Sequence, residues 1–313
     1  STKGWLPLED DVAADEPVPP PTQKALFAYG FTDANVSLKN LVNSSGVVAS
    51  DVTGVGTARA QLAAATYGID KAIFAYGFTD ADVSMSNLVN NSGTVATDVT
   101  GVGTGRRFLA ACGYGGDKAL FGYGYTVVGD ANHSITNLVT NVGVIGSDVT
   151  GVGTGRHDLA AASYGVDKAI FGFGNATGTG RTGVTNLVSN TGVVATDTSA
   201  VGSVRRQLAA AKFGDDKAIF AYGENAGGLI SLSNLVSNAG VVASDVSGVG
   251  TARMRPAATN YGGDKAIFAY GYEGSPNTAL SNLVNSSGVV AADVTGVGTA
   301  RRELGAAGYS TSA

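Results

Sequence analysis

Only one cysteine, Cys112, occurs in the 313 residues, so no disulfide can form within the chain and the fold must rest on packing and hydrogen bonds. The two histidines, His133 and His157, leave little material for a metal centre, and neither a metal nor a cofactor is expected. No stretch approaches the ~20 consecutive apolar residues that span a bilayer, which argues against membrane insertion. The opening residues, STKGWLPLEDDVAADEPVPPPTQ, hold no basic segment followed by an apolar run, so no secretory signal is expected either. Charge is scarce as well: charged residues make up 14% of the chain, and the net charge is −5. Glu9, Asp10, Asp11, Asp15 and Glu16 against Lys3 place −4 of it in residues 1–23 and leave −1 for the rest. A nucleic-acid partner would require clustered basic residues to neutralise phosphates, and the sequence shows none.

What the chain has in excess is glycine, 46 residues, beside a hydrophobic fraction of 44%. That mixture predicts many short strands joined by tight turns. An internal repeat accounts for both. KAIFAYG or a near copy begins at Lys24, Lys71, Lys118, Lys168, Lys217 and Lys265, at spacings of 47, 47, 50, 49 and 48 residues. Each copy continues through a variable polar segment, SNLVN, an Asn/Ser-x-Gly turn, VVATDVTG, the loop GVGTxR and finally LAAATYG. The pieces between turn signals are about 6–9 residues long and rich in Val, Ile, Phe and Tyr, which suits strands and not helices.

Read with period two, each copy offers four short strands, the content of one propeller blade. The predicted fold is all-β: a six-bladed β-propeller of four-stranded antiparallel blades over 24–313, preceded by an acidic, proline-rich arm over 1–23. The termini indicate how the ring closes. The last LAAATYG-type strand, residues 304–309, has no KAIF strand after it, and the first copy has none before it. PPPTQ cannot supply one, because proline removes ladder donors. Residues 304–309 are therefore predicted beside 24–31, which would remove two exposed sheet edges.

The order of strands in RAQLAAATYGIDKAIFAYG, Arg59 to Gly77, and in its counterparts resembles a degenerate kelch repeat: an Arg-led innermost strand, then a hydrophobic strand ending in glycine. The likeness runs from Lys24 to Tyr309. It departs from kelch in a single glycine where kelch has two, and in lacking the outer-strand Trp, since the only Trp, Trp5, lies in the leader. The phrases NLVSNTGVVATDT and DKAIFGFG are similar to repeat proteins encoded by marine bacteriophages. That resemblance implies a virion-associated or host-recognition role, synthesis in a host cytoplasm, and other virion proteins as partners.

Copies differ most between the second and third strands, in 31–37, 78–84, 125–134, 175–183, 224–231 and 272–279. Loops on a rigid scaffold are where binding residues usually sit, although unconstrained loops also drift. The candidate ligand-binding residues are Asp33, Asn35, Asp80, Asp82, Tyr125, Asp130, His133, Asn175, Arg181, Glu224, Asn225, Tyr272, Glu273 and Asn277, on the face that also carries GVGTxR. The D-x-[DN] pairs in the first three loops fall short of the 6–8 oxygens that calcium takes, so turn chemistry is expected there. Arg206 and Lys212 are further departures from the repeat, Lys212 in the direction of the channel.

Recurring residues read as structural. Arg59, Arg106, Arg156, Arg205, Arg253 and Arg301 each follow an aspartate by eight residues, namely Asp51, Asp98, Asp148, Asp197, Asp245 and Asp293. An anion-binding ring is one reading. The stronger one is a tie between successive blades, for which the planar guanidinium is suited. Phe27, Phe74, Phe121, Phe171, Phe220 and Phe268 read as core between blades. Gly-Val-Gly-Thr lacks the GK[ST] of a phosphate loop.

No catalytic residue is assigned. The Tyr, Cys and His ligands of a kelch-type copper oxidase are not obviously supplied, and sialidase Asp boxes need a Trp that no repeat contains. The leading expectation is a non-enzymatic interaction module, binding a host surface protein or glycan through the loop face and anchored to the particle by Trp5, Leu6 and Leu8. A lectin is the first alternative, and a polysaccharide hydrolase or lyase using Glu224 and Glu273 is the second.

Overall fold

KAIFA is apolar at nearly every position, so both faces of that strand must be covered. AAATY alternates, and its second face carries only small side chains. The computed structural model describes residues 21–199 and 201–313, and in it these two patterns become neighbours. Ala63–Tyr67 pairs antiparallel with Lys71–Ala75, which pairs in turn with Ser86–Val89. Ala72, Ile73, Phe74 and Ala75 of the middle strand are completely buried.

The same three-stranded antiparallel sheet occurs six times. The first strands of the next four are Ala110–Tyr114, Ala160–Tyr164, Ala209–Phe213 and Ala257–Tyr261. The remaining sheet joins both ends of the chain: Gly305–Tyr309 pairs with Lys24–Ala28, in register Lys24↔Tyr309 to Ala28↔Gly305, and Lys24–Ala28 pairs with Lys39–Val42. The closing pair predicted from the termini is thus present. No helix long and apolar enough to cross a membrane occurs among the described residues.

The inner strands pack side by side in a closed cycle, each against the next and Gly305–Tyr309 against both Ala257–Tyr261 and Ala63–Tyr67. A belt of backbone hydrogen bonds follows the same path. Gly68, Gly115, Gly165 and Gly214 each donate to the aspartate before the next repeat lysine, at 2.7 Å; Gly262 donates to Gln23, and Ser310 to Asp70, at 2.9 Å. Gln23 stands where the other copies have that aspartate, so the first repeat joins the belt through its backbone alone.

Sheets of three strands replace the predicted four. The VVATDVTG segment pairs with its sheet discontinuously, through two isolated bridges, Val42↔Val48 and Lys39↔Val52 in the first copy, and a few backbone hydrogen bonds such as Ala49 N–H to Leu41 O at 2.8 Å. The cause is the asparagine of SNLVN. The fully buried Asn40 donates to the Ala49 carbonyl and the Asp51 carboxylate, both at 2.9 Å, so a side chain stands between the two segments. All six copies repeat this insertion.

Between sheets, each repeat phenylalanine meets the aromatic two residues beyond the preceding copy's phenylalanine, as in Phe74 with Tyr29 at 5.6 Å and Phe27 with Tyr270 at 5.4 Å. Each repeat arginine is buried over that same aromatic, from 4.0 Å for Arg253 on Tyr222 to 4.4 Å for Arg106 on Tyr76. The charge partner of each arginine belongs to a neighbouring copy. Arg59 faces Asp98 at 4.0 Å and Arg301 faces Asp51 at 3.9 Å, so each arginine meets the aspartate of the following copy, not the one eight residues earlier. The linker carries the arginine across to the next sheet and away from its own copy's carboxylate.

Those aspartates also hold the GVGT loops. Asp98 accepts from the Thr57 hydroxyl at 2.6 Å, the Thr57 backbone N–H at 3.0 Å and the Asn87 amide at 2.9 Å. Burial alone would raise the Asp98 pKa; the Thr57 hydroxyl, the Asn87 amide, the Thr57 N–H and the charge of Arg59 outweigh it and hold the carboxyl below its usual 3.8. The other five aspartates are lowered in the same way. A folded-state pKa below the unfolded one adds stability that is present above pH 3.8 and is lost as pH falls below it. The melting temperature is therefore expected to fall steeply below about pH 4, and less steeply in an Asp98→Asn, Asp148→Asn double variant. Parallel pH curves for the two proteins would refute the clamp.

Candidate functional site

The inner strands begin just after the repeat arginines, and the first two of the three residues between arginine and strand form a pair that differs in every copy. They read Ala60-Gln61, Arg107-Phe108, His157-Asp158, Arg206-Gln207, Met254-Arg255 and Arg302-Glu303, inside flanks that hardly change. The second residue of each pair lies at one end of the central space and builds a closed ring. Gln61 donates its N–H to Glu303 O at 2.9 Å, Phe108 to Gln61 at 2.9 Å, Asp158 to Phe108 at 3.0 Å, Gln207 to Asp158 at 2.8 Å, Arg255 to Gln207 at 2.7 Å and Glu303 to Arg255 at 3.5 Å.

To aim each N–H around that ring the backbone adopts the left-handed region, with φ from 54° at Phe108 to 60° at Gln61. A side chain there is strained by about 1 kcal/mol or more, and glycine would relieve it. The repeat aromatics are also left-handed, Tyr29 at φ 65° for example, but their type is nearly constant because they pack in the core. At the mouth the side chains are kept and yet all but the two glutamines differ. That combination of retained strain and changing side chain sets the mouth apart from the rest of the repeat.

These side chains close over a cavity of about 130 Å³ lined below by alanine and leucine. Gln61 donates to Glu303 at 2.8 Å and Gln207 to Asp158 at 3.1 Å, while Arg255 pairs with Glu303. Arg255 also reaches the ring of Phe108, three places round the circle, at 5.5 Å. His157 lies 3.7 Å from Asp158 and stacks near Tyr125 and Phe108. Burial pushes its pKa down, Asp158 opposes this, and the charges of Arg206, Arg107 and Arg255 add to it, so the imidazole is neutral at pH 7.

The first residues of the pairs form an outer circle that bridges to the variable loops: Arg302 to Phe31, Ala60 to Phe78, Arg107 to Tyr125, His157 to Asn175, Arg206 to Glu224 and Met254 to Tyr272. Loops and mouth are therefore one surface. Many predicted loop residues turn out to lock neighbours together. Asn35 donates to the Phe78 and Thr79 carbonyls, Asp82 accepts from the Val127 N–H at 2.7 Å, and Asn277 donates to Phe31 O and accepts from Arg302. Arg181 and Arg206 both converge on Glu224. His133 bonds Thr126 within its own hairpin at 3.0 Å, Asn175 lies 3.4 Å from His157, and Asn225 caps the Gly227 N–H. Asp33, Asp80 and Asp130 are exposed at the loop tips, Asp130 accepting from the Tyr125 hydroxyl at 2.7 Å. Tyr272 and Glu273 border the same surface. Trp5, Leu6 and Leu8 lie outside the described residues.

Buried polar atoms without a partner concentrate here among the described residues. Gln61 Oε1, Gln207 Oε1 and Glu273 Oε1 lack donors and the Nε atoms of Arg181 and Arg255 lack acceptors, while Asp82 Oδ1 and Arg107 Nε face each other at 3.7 Å and Arg302 Nε faces Glu303 at 3.8 Å. Buried groups of this kind are normally satisfied by protein or by ordered water, so this face offers hydrogen-bonding positions to water or to a ligand. Sequence reasoning missed the inner circle. Its signal was available: two adjacent variable positions inside the least variable stretch of the repeat. No protein-family model matches this chain, and comparison with curated proteins finds no relative.

Proposed function

We propose that the chain is a six-bladed β-propeller that acts as a non-enzymatic interaction module, taking its ligand across the face formed by the mouth and the variable loops. The closed cycle of six similar sheets supports the propeller reading. The observation that carries the function is the gathering of copy-to-copy variation, left-handed side chains and unpartnered polar atoms on that single face. A hydrolase is disfavoured because Glu224 is engaged by two arginines and so is poorly placed to exchange a proton with substrate. Similarity of the repeat phrases to phage repeat proteins supports a place on a virus particle, with a host surface or a neighbouring virion protein as ligand and residues 1–23 as the anchoring arm.

Mass spectrometry of purified particles tests the setting, and absence of the chain from them would overturn it. For the face itself, a Phe108→Ala, Arg255→Ala double variant is expected to weaken binding to host cells or particles at least about tenfold. Its melting temperature should fall only modestly, since the ring uses backbone groups and Gln61 still donates to the Glu303 carboxylate that Arg255 leaves. Unchanged binding would remove the mouth from the site. A lectin is the second reading, favoured by the presence of both unpartnered donors and unpartnered acceptors on this face, which suits hydroxyls that both donate and accept. Glycan-array binding abolished by the same substitutions would select it.

A further inference from the structure

At the other end of the central space lies a second cavity, of about 160 Å³, with Pro21 and Thr22 on its rim. The next-to-last position of each inner strand faces it, in equivalent registers: Thr66, Gly113, Ser163, Lys212, Asn260 and Gly308. Thr66 and Ser163 satisfy themselves by donating to the Gly308 and Gly113 carbonyls, each at 2.8 Å. Gly308 leaves a gap that another residue fills. A Cβ there would come 2.3 Å from Thr22 Oγ1, and that same oxygen accepts from the Asn260 amide at 2.7 Å.

Lys212 is the one charged member of this circle. Among the described residues no carboxylate forms an ion pair with it: Asp216 is held by Lys217 at 3.1 Å, Asp215 is exposed on the turn beyond, and Asp167, which borders the cavity together with Lys118 and Lys168, makes no ion pair with it either. Burial depresses the Lys212 pKa, Asp215 and Asp216 only partly opposing. An ammonium half enclosed without a counterion is costly, and the cavity it lines also holds the Asn260 amide, with one hydrogen left over, and the Thr22 hydroxyl. Those donors line one space that could hold roughly five waters at ~30 Å³ each.

We propose that this cavity is a binding site for a small carboxylate, held by Lys212 together with Asn260 and Thr22, on the end of the molecule opposite the loop face. The site stands independently of the function proposed above. Its test compares sodium acetate with sodium chloride at equal ionic strength, on the whole protein and on Lys212→Met and Asn260→Ala variants. Acetate is expected to raise the wild-type melting temperature above that in chloride, and to move the Lys212 side-chain titration, followed by NMR of labelled lysine, up toward its ordinary 10.5. Lys212→Met, which folds without the buried charge, should show no acetate response, and Asn260→Ala one about tenfold weaker. Wild-type indifference to acetate, or an equal response in Lys212→Met, would overturn the site. Inorganic phosphate is expected to act more weakly, and an equal or stronger effect would overturn the carboxylate assignment.

Discussion

Replacing Arg156 with alanine is expected to cost about 3–5 kcal/mol, a large part of the stability of a typical domain. The arginine is fully buried over the Tyr123 ring at 4.3 Å and donates to Phe173 O at 2.8 Å, Asn186 Oδ1 at 2.8 Å and Thr154 O at 3.1 Å. Removing it leaves the first two acceptors buried and unpaired, at about 1–3 kcal/mol each, and opens a void against the tyrosine. Arg156→Lys keeps the charge but cannot span the three acceptors, so it should recover less than half of the loss. Urea denaturation of the three proteins measures this directly. A midpoint for Arg156→Ala within error of wild type would show that the repeat arginines are not what joins the sheets.

Ending the chain at residue 304 should have a still larger effect: no cooperative melting transition, and self-association in place of a monomer. Gly305–Tyr309 is the only partner of Lys24–Ala28 on its inner side, and five backbone register pairs join the two. Without it an apolar edge is exposed: the cluster of Leu26, Ala28 and Phe74 loses Ala307 and Tyr309, and that of Phe27 and Tyr261 loses Ala306. A freed edge of this kind is completed by the strand of another molecule, so size-exclusion chromatography with light scattering should show oligomers. Moving residues 301–313 to precede Lys24 in a permuted chain should restore a monomer. A truncated protein that stays monomeric and melts like wild type would refute closure by this strand.

Both expectations start from features visible in the sequence, but to different depths. The closing strand was legible because a repeat count leaves one inner strand without its partner at each end, and hydrophobic patterning allows only one pairing. The arginines were legible as structural because all six copies keep them. Their partners were not, since Arg59 and Asp98 are separated by the path of a linker whose direction no local pattern specifies. The fourth strand failed for a related reason: the asparagine in SNLVN reads as an ordinary polar strand residue until the neighbouring segment is seen to bond to it.

The candidate site was half legible. Variable loops announced the face, yet several loop residues, Asn35 and Asp82 among them, serve the junctions between copies. The inner circle from Gln61 to Glu303 escaped because a left-handed conformation at a glutamine or a phenylalanine contradicts local preference, and only the ring of bonds to neighbouring copies imposes it. By itself, then, the sequence determined the repeat, the all-β character and the strand that joins the two ends, because these follow from periodicity and from the need to bury apolar faces. The tertiary structure alone decided which side chains meet across the junctions, where the backbone carries strain, and where polar groups are left without partners. Those depend on contacts between residues some 40 or more positions apart, such as Thr57 and Asp98, and come into being only when the sheets pack.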